Sequence, residues 1–273
     1  VVSKDPLTGA KTALLEQPKK VPGDWKLDDQ PLPPLKRIIA APPTRRPVYG
    51  LYCWADEYVK YHDAIRKIGF RNMRLSGPFH DQCMKLYVAD EVEVMATVGK
   101  RVHQSFSGKA SDWRNRADYD SDEAFVADYL KGLTKFLKRW GPDGTFFRDH
   151  PDLPHRPIRF VEIWNEPNFW YIDSRKWEPF KSPEHRQAVE KKRVGIYARL
   201  LPAAAAHVRK HFPKVKVVGF AAGGSAHADV RFIRDVHEAN ESVAGSYDIL
   251  STHPYVRPVP PETYHIRPWG RYS

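Results

Sequence analysis

At 273 residues, with 41% hydrophobic and 28% charged side chains, the chain has a globular composition and enough length for a full-sized core, which excludes wholesale disorder. No apolar run approaches the roughly 18 residues that cross a bilayer. The net charge of +11, from 44 Lys and Arg against 33 Asp and Glu, is scattered over short clusters such as Lys19-Lys20 and Lys191-Lys192-Arg193. Those clusters match no nucleic-acid module; solvated helix faces are the first reading, and a uronate- or sulfate-bearing glycan is the partner class the charge would suit. The chain opens on Val1 with no basic-then-apolar leader, which for a piece of a longer protein says nothing about secretion.

In chain order, Val1 to Glu16 carries a turn signal at Asp5-Pro6-Leu7-Thr8-Gly9 and reads as a hairpin. Eight prolines between Pro18 and Pro47 then mark residues 1–47 as an N-terminal extension or linker. From residue 48 the pattern alternates. Val48 to Trp54 is a first strand, and Asp56 caps a helix with the apolar stripe Tyr58, Tyr61, Ile65 and Ile68, stopped by Gly69. Phe70–Ser76 and Val92–Val98 are the second and third strands. A helix from Ser121 to Trp140 carries Phe125, Tyr129, Leu133, Phe136 and Trp140 on one side. After a fourth strand, Ser182-Pro183-Glu184 opens a long helix that turns Ile196, Leu200, Ala204 and Val208 inward. Val215–Phe220 is a fifth strand, Val230–Ala239 its helix, and Tyr247–Tyr255 the sixth. The tail, with Pro258, Pro260, Pro261 and Pro268, reads as loop.

Six strands alternating with helices imply parallel pairing through crossover helices. Periodicity leaves an open doubly wound sheet and a closed barrel both standing. Gly223-Gly224 after the fifth strand is far from a GxGxxG fingerprint, so nothing favours a nucleotide or phosphate site. The two cysteines, Cys53 and Cys83, show no metal spacing, and no His, Asp and Glu cluster has one either. No metal and no cofactor is expected.

The fourth strand carries the chemistry. In Arg159-Phe160-Val161-Glu162-Ile163-Trp164-Asn165-Glu166-Pro167-Asn168, strand-forming residues run to Trp164 and Pro167 ends the ladder. Alternation puts Glu162, Trp164 and Glu166 on one face, with Glu166 at the strand's carboxyl end and Glu162 deep in the sheet. A buried carboxylate must meet a cation, and Arg74 on the second strand is the candidate.

The WNEPN string resembles the fourth-strand motif of the clan A glycoside hydrolases; the aromatic segment after it is most similar to the family of β-xylosidases and α-L-iduronidase. The resemblance implies an α/β fold, a (β/α)8 TIM barrel over residues 48–273 of which about six units are present. It implies a retaining glycosidase in which Glu166 is the general acid/base and Asn165 holds the sugar's 2-hydroxyl. The nucleophilic glutamate of that clan ends strand seven, which would lie past Ser273. His253-Pro254-Tyr255 resembles the clan's sixth-strand His-x-Tyr, so His253 and Tyr255 are expected to line the site, and Arg74 to lie beside it.

Of the aromatic loop residues Phe169, Trp170, Tyr171 and Trp177, Trp170 is expected to stack on sugar and Trp177 to pack. Glu262, in Pro260-Pro261-Glu262-Thr263, reads as surface, and Lys100 to His103 as a solvated loop. A secreted or periplasmic location goes with this reading. Its rival is a non-catalytic carbohydrate-binding protein on the same scaffold. An incomplete barrel leaves open sheet edges, so residues 1–273 produced alone are expected to be inactive and poorly folded; a cooperative melt of that soluble segment would overturn the expectation.

Overall fold

The computed structural model describes residues 2–4, 11–13, 50–77, 79–99, 116–169, 180–224 and 228–254. The chain divides into two units, Val1–Val48 with Val256–Ser273, and Tyr49–Tyr255. In the first, β1 (Val2–Lys4) and β2 (Lys11–Ala13) pair antiparallel with Val2 opposite Ala13, as the turn signal between them predicts. Residues 14–49, which hold the Pro-rich stretch, and the tail 255–273 lie outside the described residues.

The second unit runs β3 (Gly50–Trp54), α1 (Ala55–Lys60), α2 (His62–Ile68), β4 (Asn72–Ser76), α3 (Asp81–Ala89), β5 (Glu93–Val98), α4 (Asp122–Trp140) and α5 (Thr145–Asp149). It continues with β6 (Phe160–Ile163), α6 (Pro183–His211), β7 (Lys216–Gly224), α7 (Ala228–Ala239) and β8 (Ile249–Pro254). Strands β3 to β8 form one sheet, each parallel to the next in chain order. This order decides between the two architectures. Right-handed crossovers that always move to the next strand on the same side put every helix on one face. A doubly wound sheet reverses its strand order at a switch point, and no reversal occurs here. The fold is a partial (β/α) barrel, helices outside. Its inner face is concave: Ser251 of β8 donates to Glu162 of β6 at 2.9 Å, although strands two apart in a flat sheet are separated by roughly 9.5 Å.

The helices form where periodicity and caps agree. Ser121 accepts from the Ala124 N–H and opens α4, whose Phe125, Tyr129, Leu133, Phe136 and Trp140 are all buried. Ser182 caps α6 with Pro183 in its first turn, and Ile196, Leu200, Ala204 and Val208 are buried. A buried side chain of this size contributes about 1.5–3 kcal/mol and a cap about 1 kcal/mol, so the stripes hold these helices and the caps fix their starts. The first helix departs from its predicted stripe. It breaks at Tyr61, and Tyr61 and Ile68 are exposed while Tyr58 and Ile65 are buried. The break rotates the second half, so one stripe cannot serve both. Helix α3 has no counterpart among the predicted elements; His80, an unusual cap, accepts from the Cys83 N–H, and Cys83, Met84, Tyr87 and Val88 fill the core.

Both cysteines are buried and free. Burial pushes the Cys83 thiol up to about 12, and burial with the charges of Glu57 and Asp56 pushes Cys53 up to about 11. Neither is a thiolate at neutral pH, so both are core residues. No described helix is long and apolar enough to cross a membrane.

Asp81 ties α3 to the end of α4, accepting from Arg139 and from the Trp140 indole at 3.1 Å. Burial pushes the Asp81 carboxyl up, but the hydrogen bonds of Arg139 and Trp140 and the charges of Arg139 and His150 outweigh it and hold the group below its ordinary value. Stability from a carboxylate with a lowered folded value is present above the ordinary value and is lost as pH falls through the folded one. Asp81→Asn should therefore flatten the loss of thermal stability below about pH 4, measured as melting temperature against pH; an unchanged acid slope would show that this carboxylate carries none of it.

Candidate active site

The sequence places Glu166 at the end of β6, and two features of the fold aim it. The first is left-handed backbone. Five described non-glycine residues have positive φ, and four of them lie here: Trp164 (70°), Glu166 (48°), Phe220 (76°) and Ala221 (45°). Such residues cost of order 1–3 kcal/mol each and persist only where their surroundings fix them. The Glu166 N–H donates to the Ala221 carbonyl at 3.0 Å, and the Trp164 N–H to that of Val98 at 3.1 Å.

The second feature is a β-bulge in β7 between Phe220 and Ala222. Gly219 and Gly223 are four residues apart and would share a face in a regular strand. They do not. A Cβ on Gly219 would meet Tyr247 and Leu201 on the helix side, and one on Gly223 would meet Glu166 on the inner side. The bulge inverts the parity of β7, a known effect of one extra residue, and brings a side chain with no bulk under Glu166. Tyr197 of α6 holds the two irregular segments in step: its hydroxyl donates to the Ile163 carbonyl at 3.0 Å and accepts from the Phe220 N–H at 2.7 Å. Asn168 clips the turn after Glu166 to β7, with its amide donating to the Gly223 carbonyl at 2.6 Å and accepting from the Gly223 N–H at 2.9 Å. The Arg193 guanidinium, buried on α6, donates to the Asn168 carbonyl at 2.9 Å.

Two glutamates, an arginine and a histidine then meet on the inner face. Glu166 Oε1 lies 3.1 Å from Nδ1 of His253. Nε2 of the same ring is 4.0 Å from Oε1 of Glu162. Glu162 is fully buried. Its Oε2 accepts from Arg74 Nε at 2.9 Å, Arg74 Nη2 at 2.5 Å and the Thr97 hydroxyl at 2.7 Å; its Oε1 accepts from the Ser251 hydroxyl at 2.9 Å. Arg74 Nη2 also donates to Asn165 Oδ1 at 2.8 Å, and the Arg74 guanidinium lies 5.0 Å from the centre of the Tyr52 ring.

Arg74 is thus the cation that Glu162 requires. Four of the residues singled out in the sequence, Arg74, Asn165, Glu166 and His253, are brought together. Tyr255 and Trp170, with Tyr171 and Trp177, lie outside the described residues, as do the Lys100–His103 loop and Glu262. One expectation is corrected. Trp164 does not share the face of Glu162 and Glu166; its left-handed φ ends the alternation, and its ring packs against Phe125 and Tyr129 of α4 at 5.7 and 5.9 Å. Glu166 has His253, not Trp164, as its neighbour on the inner face.

Sequence reasoning passed over Thr97, Ser251, Asn168 and Tyr197, and weighed Gly223 only against a phosphate-binding fingerprint. Only Asn168, inside WNEPN, carried a signal that could have drawn attention to it. Among the described residues, no group of three or more His, Cys, Asp or Glu side chains is placed to hold a metal ion. A buried carboxylate that accepts four hydrogen bonds lies beneath a second, half-buried carboxylate that has an amide and an imidazole beside it. Such a set is suited to moving a proton at Glu166 and to hydrogen-bonding a polyhydroxyl ligand.

Solved structures similar to this chain include a monomeric β-xylosidase from Caulobacter crescentus CB15, with 15% identity and a TM-score of 0.41 over 76% of this chain and 41% of that one. A family 1 β-glucosidase from Thermotoga maritima has 16% identity and a TM-score of 0.37 over 68% of this chain and 43% of that one. The virulence factor SghA, solved with its substrate analogue salicin, has 15% identity and a TM-score of 0.37 over 69% of this chain and 43% of that one. The chain spans only 41% to 43% of the length of these proteins. No protein-family model matches it, and no curated protein does.

A Cβ at Gly223 would lie 2.8 Å from the Glu166 Cδ and Oε1. Gly223→Ala should therefore displace the flexible Glu166 carboxylate from His253 while changing stability by no more than about 1 kcal/mol. A structure of the variant with a denaturant unfolding curve checks both; Glu166 left in place would sink the prediction.

Proposed function

We propose that the protein is a retaining glycoside hydrolase acting on O-glycosidic bonds of an oligosaccharide or polysaccharide, with Glu166 as general acid/base. One observation carries this reading: Glu166 stands at the carboxyl end of a parallel strand, on the inner face, flanked by Asn165 and bonded to His253. In a barrel of parallel strands that rim is where reacting groups gather.

In the first step Glu166 gives its proton to the glycosidic oxygen as a carboxylate nucleophile attacks the anomeric carbon. The bond to the departing sugar breaks and a glycosyl-enzyme forms. In the second, Glu166 takes a proton from water, whose oxygen attacks the same carbon and releases the nucleophile. Asn165 donates to the 2-hydroxyl, and His253 fixes the Glu166 carboxyl between the two steps. Glu162 is unsuited to be the second carboxylate, because it has no exposed surface and is held by Arg74, Thr97 and Ser251. The nucleophile is assigned to a residue outside the described ones. Among candidate substrates, acidic glycans in a secreted or periplasmic setting suit the net charge of +11.

The absence, among the described residues, of an exposed carboxylate beside Glu166 to serve as nucleophile also fits a carbohydrate-binding protein that has lost its nucleophile. One experiment separates the two. The native-length protein is assayed on aryl glycosides and on acidic and neutral polysaccharides, beside Glu166→Gln. Turnover that falls about 10²–10⁴-fold in the variant, with azide restoring part of it on an activated substrate, is the expected result. No turnover by either protein, with unchanged glycan binding, would favour the binding protein.

A further inference from the structure

We propose that Glu162 is a positioning residue for this reaction: through Arg74 it fixes the orientation of the Asn165 amide, and so sets which substrate oxygen the site recognises. The inference rests on the glycosidase reading above and assigns a role that the reading leaves open.

A carboxylate offers about four acceptor positions. Glu162 accepts from two N–H groups of Arg74 and the Thr97 hydroxyl at Oε2, and from the Ser251 hydroxyl at Oε1, at 2.5 to 2.9 Å. With no exposed surface, Glu162 does not touch a substrate. It acts on its neighbours instead. Two bonds from one carboxylate oxygen to Nε and Nη2 hold the guanidinium plane in one orientation, and Nη2 is the atom that also reaches Asn165 Oδ1 at 2.8 Å.

Arginine has donors only, so the oxygen of the Asn165 amide, not its nitrogen, must face Arg74. The NH₂ group is thereby turned away from Arg74 on an exposed residue. Asn165 is held as a donor. It recognises an acceptor oxygen, which a sugar hydroxyl supplies and a deoxy carbon does not. On its other side the same carboxylate takes the Ser251 hydroxyl, two residues along β8 from His253, and its Oε1 lies 4.0 Å from His253 Nε2. One buried group thus stands beneath the supports of both rim residues, and a purely structural ion pair would not need to.

The test uses the native-length protein with an aryl glycoside that it hydrolyses and the matching 2-deoxy glycoside. The variants are Asn165→Ala, Glu162→Gln and Arg74→Lys, with a melting curve for each. Asn165→Ala should abolish the preference for the 2-hydroxy substrate. Glu162→Gln and Arg74→Lys should reduce it towards the same value, with kcat/KM on the 2-hydroxy substrate falling about 10²-fold and the 2-deoxy rate changing far less. The double variant Glu162→Gln with Asn165→Ala should be no worse than the poorer single one, because both remove the same interaction.

Equal losses on the two substrates, or an intact preference in Glu162→Gln, would overturn the proposal and leave Glu162 a structural group. Should Glu162→Gln fail to melt cooperatively, Arg74→Lys decides: it keeps the buried charge but cannot make the fork, and a retained preference there overturns the proposal. If the unsubstituted protein hydrolyses no glycoside, the glycosidase reading falls and this role falls with it. If Glu166→Gln abolishes turnover while the 2-hydroxyl preference ignores Glu162, only the positioning role falls.

Discussion

A carboxylate with no exposed surface is tolerable only where donors surround it, and at Glu162 those donors come from three other strands of the sheet. Arg74 reaches from β4, Thr97 from β5 and Ser251 from β8. Removing water from an ion pair costs several kcal/mol per ion, and only full hydrogen bonding offsets it. That requirement constrains the fold as well as the site. Ser251 is short and two strands away, so it meets Glu162 only if the inner face curves. The buried carboxylate thus both needs a barrel-like sheet and ties its strands together on the inside, while the apolar stripes of α4 and α6 cover the outside.

Above this buried level the site depends on irregular backbone. Strands alternate their side chains with a period of two, and that rule alone would turn Gly223 to the helix side. The bulge at Phe220 and Ala221 inverts the parity at the point where β7 passes Glu166. The Ala221 carbonyl so presented receives the Glu166 N–H, and Tyr197 bridges the end of β6 to the bulge. Left-handed residues on both strands are stabilised by one another's hydrogen bonds. The cost of that strain is met by ordinary helix packing elsewhere, which leaves the strand ends free to be shaped by function.

The legible parts of the fold were those governed by local rules. α4 and α6 begin at the serines that cap them and bury the stripes that their spacing defines. β4, β5 and β6 fall within a residue or two of their apolar runs. Helix α3 escaped because it is short and capped by a histidine, and the stripe through α1 and α2 failed because a break at Tyr61 rotates its second half. In the site, Glu166 and Asn165 were legible because WNEPN is contiguous. The need of Glu162 for a cation followed from burial alone, and Arg74 was a basic residue on the second predicted strand, two strands away in the sheet.

The sequence by itself determined that the chain alternates strands with amphipathic helices, that its strands run parallel, and that an Asn-Glu pair closes the fourth of them. Each follows from interactions between residues near in sequence: periodicity, caps and a proline that ends a ladder. Only the tertiary structure decided that the sheet winds in one direction, that Trp164 turns outward while Glu166 turns in, and that Thr97, Ser251 and Gly223 belong to the site. The physical reason is that these outcomes depend on which strands become neighbours and on where backbone φ turns positive. Both are set by packing between segments up to about ninety residues apart, such as Ser251 and Glu162.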